Sequence, residues 1–356
     1  MKKVLIVGAL GAVGRCALEH FETRPGWEVV GTSRRVPSFA TNARWVSADL
    51  RDRDDCVAKF GHLKDITHIV YTAVYEKADV TRGWSEMDHV RINLAMLQNV
   101  IEVVEGASPN LEHITLLQGT KAYGGHLGPF RQPARESDSR YMGPNFYYDQ
   151  MDWLAQRQKS KAWSWTILRP QIVCGIALGS PLNIITAIGV FAAVSHEYGM
   201  PLRFPGGAPR IGEATDARLI AKAMEWAGTH PNAANQIFNI TNGDIYVWEN
   251  VWPKIAELFG MEIGPPHPFS LARVMPENEP IWDRVVHKHG LVPTAYKDIV
   301  PSWQFADFLL GYGQRPNSHH MSTIKLRQAG FAECIDSEDM FVELLMELQR
   351  RRLLPS

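Results

Sequence analysis

Short apolar runs alternate with helix-like stretches through the first half of the chain. The apolar runs predict strands at residues 4–7, 27–31, 43–47, 68–71, 113–117 and 165–168. The stretches between them predict helices at residues 15–21, 87–105 and 146–159. Strands that alternate with helices form a parallel sheet covered on both faces. We therefore expect an α/β fold of the Rossmann type, with a doubly wound parallel sheet and a smaller C-terminal substrate-binding region.

The regular alternation ends near Gly175. Prolines, glycines and aromatic residues are more frequent beyond this point, which predicts a first domain over residues 1–175 and a mainly substrate-binding region over residues 176–356. A late apolar run at residues 237–241 predicts one more strand, which rejoins the first sheet. Residues 264–280 are rich in proline and have no clear period, so a mobile lid and a plain surface loop are both open for them.

Three glycines at spacing three follow the first predicted strand: Gly8, Gly11 and Gly14. The first can turn the chain sharply, the second lets a pyrophosphate approach the backbone, and the third lets the next helix pack close to the strand. Amide groups at the start of that helix would point at the phosphates. Because a strand precedes the glycines and a helix follows, the pattern favours a dinucleotide-binding turn over an ordinary βα turn.

The end of the second predicted strand distinguishes NAD from NADP. An acidic residue there would bind the ribose hydroxyls of NAD, whereas this chain has Ser33, Arg34 and Arg35. Two guanidinium groups suit a 2′-phosphate, so the sequence predicts NADPH/NADP+ as the cofactor. The alternative is that both arginines are solvated loop charges. Weaker candidates for adenosine contacts follow the third and fourth predicted strands: Asp49, Leu50, Ala73 and Val74.

Composition adds limits to this picture. The 356 residues are 45% hydrophobic, enough for a sizeable core, and 37 basic residues nearly balance 38 acidic ones. The balance argues against a nucleic-acid or anionic-membrane surface. The four cysteines are far apart, and no histidine pair with ligand spacing is recognisable, so no metal site is predicted.

The N-terminus resembles the start of a signal peptide, with two lysines before an apolar run. The early glycines and the charged Arg15 and Glu19 argue against that interpretation. A later apolar stretch at residues 184–194 is too short to span a bilayer. We expect a cytoplasmic protein with no membrane partner.

Reductases of the short-chain class normally carry Tyr-x-x-x-Lys on one helix, so that the lysine charge acts on the tyrosine. The motif is absent here, since Met151 stands four residues after Tyr147 and Asp152 four after Tyr148. Instead, Lys121 follows the fifth predicted strand, at the carboxyl edge where open α/β sheets bind ligands. From there a lysine could approach Tyr147 from a neighbouring strand.

These residues resemble the progesterone 5β-reductase and iridoid synthase-like enzymes, an atypical branch of the extended short-chain dehydrogenase/reductases. The resemblance covers nearly the whole chain and includes the glycine turn, Ser33-Arg34-Arg35, Gly119-Thr-Lys121, Asn145-Phe-Tyr-Tyr148, Arg169-Pro170, residues 239–248 and residues 303–311. It implies NADPH-dependent reduction of an activated C=C bond in a small apolar enone or enal, with Tyr147 and Lys121 as the catalytic residues. A homodimer is left open.

The resemblance also implies a set of cofactor contacts. They are Leu10, Gly11, Ala12, Arg34, Arg35, Asp49, Leu50, Ala73, Val74, Tyr147 and Val173, with Ser180, Pro181 and Leu182 closing over the cofactor. Phe305 is the candidate for the wall of the substrate pocket. The chain departs from the plant pattern at Val74, Ile172 and the pair Met151-Asp152, so the substrate is not fixed by the resemblance.

Two other functions stay open at this point. One is carbonyl reduction, or nucleotide-sugar epimerisation or dehydration, on the same fold. The missing Tyr-x-x-x-Lys and the arginine pair argue against it. The other is a non-catalytic regulator that senses NADP, which would bind NADPH without oxidising it.

Overall fold

The computed structural model describes residues 1–77, 84, 86–209, 211–313 and 319–356. The chain divides into two compact units, each made of three separate stretches. The first unit is Met1–Gln171, Ala217–Ile240 and Met321–Glu333, and the second is Ile172–Asp216, Thr241–His320 and Cys334–Ser356. Both units therefore combine segments that are far apart in the sequence.

The strands are short and most of them belong to the first unit. They are β1 (Lys2–Val7), β2 (Trp27–Ser33), β3 (Arg44–Ser47), β4 (His68–Tyr71), β5 (His113–Leu117), β6 (Ser164–Pro170), β7 (Val173–Cys174), β8 (Ile211–Gly212), β9 (Thr215–Asp216), β10 (Gln236–Ile240) and β11 (Tyr246–Val247).

Helices connect these strands and are the main regular elements of the second unit. They are α1 (Ala12–Glu22), α2 (Arg53–Phe60), α3 (Met87–Ala107), α4 (Phe146–Gln158), α5 (Ile184–Glu197), α6 (Ala217–Thr229), α7 (Trp248–Leu258), α8 (Leu271–Val274), α9 (Glu279–His289), α10 (Tyr296–Ile299), α11 (Trp303–Leu310), α12 (Ile324–Gln328) and α13 (Ser337–Arg350). Short 3₁₀ helices cover Thr120–Tyr123, Pro231–Ala233 and Met275–Asn278.

The first unit is organised around a seven-stranded sheet in the order β10-β6-β5-β4-β1-β2-β3. Every neighbouring pair in it is parallel, so the predicted doubly wound parallel sheet is confirmed. The strand order reverses at β1, which lies between β2 and β4. Ligands of open α/β sheets bind outside the carboxyl ends of the strands at such a switch point.

The central strand β1 is buried on both faces. Val4, Leu5, Ile6 and Val7 have no exposed surface, and Leu5 and Val7 belong to one apolar cluster with Leu97 of α3. Because both faces are covered, the strand is a continuous apolar run instead of an alternating one. That run is what made it recognisable in the sequence.

Helix starts in the first unit fall into two kinds. Asp52 accepts hydrogen bonds from the amides of Asp54 and Asp55 at the start of α2, which is ordinary side-chain capping. Helix α1 begins after Gly11, with no side-chain cap and no acidic residue in its first turn. The amides at the start of α1 are therefore left for another partner.

The second unit is a mainly helical packing around α5. Residues 184–195 of that helix are all buried, which is typical of a helix at the centre of an apolar core. Trp252 of α7 and Phe341 of α13 belong to the same cluster. Among the described residues, no helix combines the length and the apolar character that crossing a membrane requires.

Residues 264–280 are more ordered than a plain surface loop. They contain α8, the 3₁₀ helix Met275–Asn278 and the start of α9. The Asp307 carboxylate accepts hydrogen bonds from the Ser270 hydroxyl (2.6 Å) and the Leu271 amide (2.7 Å). Residues 264–270 have no regular secondary structure, whereas partners about forty residues later in the sequence hold residues 271–280 in helical turns. The choice between a lid and a surface loop stays a prediction.

Candidate active site

The glycine turn joins β1 to α1 and leaves no room for side chains. Gly8 has a φ of +88°, and a Cβ there would lie 2.8 Å from the amide nitrogen of Ala73. A Cβ on Gly14 would lie 2.2 Å from the Gly8 carbonyl oxygen. Together with the uncapped amides of α1, this backbone surface fits the pyrophosphate of a dinucleotide.

The two arginines proposed for the 2′-phosphate stand at the end of β2. Arg34 and Arg35 follow Ser33 directly and both are exposed. No acidic residue occupies this position, so an additional phosphate would meet guanidinium groups rather than a carboxylate. These residues fit NADPH, and Leu10 and Ala12 of the turn lie half-buried near the start of α1.

The remaining cofactor candidates in the first unit have different environments. The Asp49 carboxylate is bound by Arg51 at 2.6 Å, and this bond, with a further contribution from Arg34, lowers the pKa of Asp49. Leu50 is buried, and Val74 is 47% exposed. Asp49 is therefore already paired, and reaching an adenine would require it to share its oxygens with Arg51.

Lys121 and Tyr147 are brought into one corner by Asn145. Lys121 lies in the 3₁₀ helix after β5, and Tyr147 lies in the first turn of α4. The Asn145 side chain caps α4 by accepting from the Tyr147 amide (3.0 Å) and donates to the Lys121 carbonyl (2.9 Å). One asparagine thus fixes the backbone of both residues.

The two side chains meet the same indole. The Lys121 ammonium lies 3.7 Å from the centre of the Trp84 ring, and the Tyr147 ring contacts that indole edge-on at 5.0 Å between centroids. The Trp84 N–H donates to the Glu76 carboxylate at 3.1 Å. Within the described part of the chain, Lys121 makes no direct hydrogen bond to the Tyr147 hydroxyl.

Burial dominates the electrostatics of this corner. It lowers the pKa of Lys121 to about 8, although the negative charge of Glu76 opposes the shift. It raises the pKa of Tyr147, with Glu76 adding to the effect and Arg169 opposing it. At neutral pH the lysine is therefore mostly charged and the tyrosine is a protonated hydrogen-bond donor.

The Tyr147 hydroxyl lies close to the chain that leaves β5. A Cβ added to Gly119 would be 3.5 Å from that oxygen. Among the described residues, the hydroxyl has no hydrogen-bond partner, whereas the neighbouring Tyr148 hydroxyl donates to the Ala122 carbonyl at 2.7 Å. The first tyrosine of the pair can therefore donate to a ligand, and the second is engaged in the fold.

The other predicted contacts belong to the second unit. Val173 lies in β7, and residues 180–182 precede α5, where Asn183 provides the cap. Phe305 lies in α11, half-buried against the apolar core of that unit. The site described in the first unit does not include them.

The sequence analysis does not single out Trp84, Glu76 or Gln118, and it names Arg169 only as part of a family motif. Trp84 and Glu76 lie in a stretch without periodicity, which gives no signal. Gln118 and Arg169 are different, because each is a polar residue at the carboxyl end of a buried strand. That position alone is a reason to suspect a site in an open α/β sheet.

The chain resembles known proteins over almost its entire length. Residues 48–337 match the family described as PRISE-like Rossmann-fold domain. The (S)-8-oxocitronellyl enol synthase of Nepeta cataria is 33% identical over 374 residues, which cover 99% of this chain and 92% of that protein.

Solved structures show the same fold at low identity. UDP-glucose 4-epimerase from Thermotoga maritima, solved with UDP-glucose, superposes with a TM-score of 0.68 at 15% identity, covering 99% of each chain. RMD from Pseudomonas aeruginosa, solved with NADPH, gives 0.67 at 13% identity, covering 99% of this chain and 98% of the other.

Proposed function

The chain belongs to the PRISE-like Rossmann-fold family, and we propose that it is an NADPH-dependent ene-reductase acting on an enone or enal. The observation that carries the proposal is the Tyr147 hydroxyl, which has no hydrogen-bond partner among the described residues and whose ring contacts the same Trp84 indole as the half-buried Lys121 ammonium. A family relative is named for an enol product. An enol or enolate is what hydride addition to the β-carbon of an enal gives.

The first unit offers the groups that would hold the cofactor. The backbone around Gly8 and Gly14 would take the pyrophosphate, and Arg34 and Arg35 would bind the 2′-phosphate. Bound there, NADPH supplies a hydride equivalent. Val173 and residues 180–182 are proposed as further contacts on family resemblance.

The protein's own contribution is to stabilise charge on the substrate. As the C=C bond is reduced, negative charge develops on the carbonyl oxygen. The Tyr147 hydroxyl donates a hydrogen bond to that oxygen, and burial keeps it protonated for this purpose. Lys121 adds positive potential in a site where few polar groups screen it. Solvent then protonates the α-carbon.

The substrate class follows from the same geometry. Trp84 and the ring of Tyr147 give the corner an apolar lining, so a small apolar carbonyl compound suits it better than a sugar nucleotide. Phe305 is proposed as a further wall of the pocket.

NADPH oxidation against a panel of substrates tests the proposal. The panel holds small enones, enals, a steroid enone and simple ketones, with identification of each product. We expect loss of the C=C bond and retention of the carbonyl. Reduction of ketones alone would overturn the proposal in favour of carbonyl reduction.

Two further outcomes would also contradict it. Conversion of a nucleotide sugar without net NADPH loss would point to an epimerase. NADPH binding without oxidation by any member of the panel would point to a sensor of the cofactor.

A further inference from the structure

Arg169 is a buried cation that forms no ion pair with any of the described residues. It is the next-to-last residue of β6 and is 5% exposed. Its guanidinium donates to the Gln118 side-chain oxygen (3.0 Å) and the Tyr123 hydroxyl (3.3 Å), and lies 3.8 Å from the Met151 sulfur. In the part of the chain that the structure describes, no carboxylate lies within 4.0 Å of it.

Such an arrangement is energetically unfavourable by itself. Arginine cannot lose its charge in a protein, and removing a charge from water without a counter-ion is strongly destabilising. Arg157 in α4 provides the contrast, because its guanidinium bonds the Glu105 carboxylate at 2.6 Å. A buried guanidinium with only neutral acceptors therefore indicates a position where positive charge serves a purpose beyond stability.

Gln118 connects this charge to the catalytic tyrosine. Its side-chain oxygen accepts from Arg169, and its side-chain nitrogen donates to the Tyr147 carbonyl at 2.7 Å. Gln118 is itself 4% exposed. The guanidinium can only donate, so it must face the oxygen of the Gln118 amide. The nitrogen of that amide is then the end that faces Tyr147.

The charge of Arg169 also acts on Tyr147 directly. Burial raises the pKa of Tyr147, the charges of Glu76 and Tyr141 add to that rise, and the charge of Arg169 offsets part of it. Arg169 likewise offsets part of the rise that burial causes in the pKa of Tyr123 and of Tyr148.

Those two tyrosines are engaged elsewhere. The Tyr123 hydroxyl donates to the Asn239 side chain at 2.6 Å, and the Tyr148 hydroxyl donates to the Ala122 carbonyl. Of the three hydroxyls, that of Tyr147 is the one left for a ligand among the described residues. Among the described residues, Tyr147 is therefore the hydroxyl through which Arg169 can influence a hydrogen bond to a ligand.

We propose that Arg169 is a positioning residue, which fixes the first turn of α4 through Gln118 and whose charge strengthens Tyr147 as a hydrogen-bond donor to a developing oxyanion. In this it does for Tyr147 what the lysine of Tyr-x-x-x-Lys does in ordinary short-chain reductases. The inference rests on the proposed function, because it assigns Arg169 a part in the same reaction.

Three variants test the role by turnover. Arg169→Met removes the charge, and we expect kcat to fall about tenfold to a hundredfold, with the KM for NADPH unchanged. Arg169→Lys keeps the positive charge but loses the planar set of guanidinium donors. We therefore expect its kcat to lie between those of Arg169→Met and the wild type. Arg157→Met is the matched control, since it removes a carboxylate-paired arginine from α4, and it should leave kcat unchanged.

A spectroscopic probe separates this role from simple support of the fold. With NADP+ bound, 4-nitrophenol acts as a mimic of the enolate, and its absorbance reports the ionised fraction. We expect the wild type and Arg169→Lys to bind it preferentially as the phenolate. Arg169→Met should lose that preference while Arg157→Met keeps it.

A second pair of variants covers the case in which Arg169→Met does not fold. Gln118→Met and Gln118→Glu both break the bond to the Tyr147 carbonyl, but only the glutamate also neutralises Arg169. We expect Gln118→Glu to be the slower enzyme and the weaker phenolate binder. Equal kcat and equal phenolate binding in Gln118→Met and Gln118→Glu would overturn the role of the Arg169 charge.

The outcomes distinguish this inference from the proposed function. If the wild type reduces enones and both Arg169→Met and Gln118→Glu match their controls, the inference fails and the function stands. If the wild type reduces no enone but binds phenolate through Arg169, the proposed function fails and the positioning role stands. If the wild type neither reduces an enone nor binds phenolate through Arg169, the proposed function and the positioning role are both wrong.

Discussion

The glycine turn and the Lys121–Tyr147 corner lie at the carboxyl edge of one sheet, yet they are built from different parts of the chain. The turn is backbone, and at Gly14 an added Cβ would meet the Gly8 carbonyl at 2.2 Å. The corner is a set of side chains that are buried or half-buried, and Asn145 fixes the backbone of Lys121 and Tyr147 by hydrogen bonds. Binding and chemistry should therefore respond separately to mutation.

The largest expected effect would separate chemistry from binding. Tyr147→Phe removes the donor to the oxyanion, and we expect kcat to fall about 10² to 10³-fold. The affinity for NADPH, measured by fluorescence titration, should be unchanged. Undiminished turnover in this variant would remove Tyr147 from the mechanism.

Tyr148→Phe is the matched control for that experiment. It removes the hydrogen bond to the Ala122 carbonyl and should lower the free energy of unfolding by about 1 kcal/mol. Its kcat should stay close to that of the wild type, because its hydroxyl is engaged in the fold.

The next effect would disturb binding while leaving the corner intact. Gly14→Ala forces the turn apart, and we expect a loss of about 1–3 kcal/mol in the free energy of unfolding together with weaker NADPH binding. Denaturant unfolding measures the change in stability, and fluorescence titration measures the affinity for NADPH. Gly106→Ala in α3 is the control, because nothing lies within 4 Å of a Cβ there. Unchanged NADPH affinity in Gly14→Ala would move the cofactor away from the turn.

An effect of similar size, limited to binding, concerns which cofactor the turn would receive. The double variant Arg34→Ala, Arg35→Ala should weaken NADPH binding by about 1.5–3 kcal/mol, since it removes charge-assisted bonds to the 2′-phosphate. NADH binding should not change, and both arginines are exposed, so stability should not change either. Arg53→Ala serves as the control, because this exposed arginine pairs with Glu102. Equal losses for NADPH and NADH would contradict the assignment.

The last prediction is a dependence on pH. As the pH rises, turnover should fall and stability should increase. Lys121 has its pKa lowered to about 8 by burial, so turnover should fall as the pH rises through that value and the ammonium is lost. The unfolded chain keeps the lysine protonated up to its ordinary pKa of 10.5. Between these two pH values the unfolded state binds more protons than the folded state. The free energy of unfolding therefore increases as the pH rises.

Lys121→Met isolates that contribution. Lacking the ionisable group, the variant should show neither the loss of turnover near pH 8 nor the gain in stability above it, relative to the wild type. Rate profiles and denaturant unfolding at several pH values measure the two. An unchanged alkaline limb in Lys121→Met would assign that limb to another group.

The same contrast explains what the sequence could predict. The seven sheet strands were recognisable because both faces of strands such as β1 are buried, which leaves uninterrupted apolar runs. The glycine turn was recognisable because its constraint lies within a few consecutive residues. Both are local properties of the chain.

The features of the site that the sequence did not predict depend on partners that are distant in sequence. Trp84 and Glu76 reach Lys121 only through the fold, from a stretch with no period. Asp307 shapes the segment at Ser270 from 37 residues away. Arg169 stands next to the end of a buried strand, but only the tertiary structure shows that no carboxylate of the described residues pairs with it.

The passage of the chain between the two units also governs how the protein can fold during synthesis. The chain leaves the first unit at Gln171 and returns at Ala217. A nascent chain ending at Gln171 already carries the glycine turn, Lys121 and Tyr147. However, β6 then presents an unpaired edge until β10 leaves the ribosome, and unpaired edges invite association with other chains. The sheet of the first unit therefore cannot be completed until residues 172–216 of the second unit have been translated.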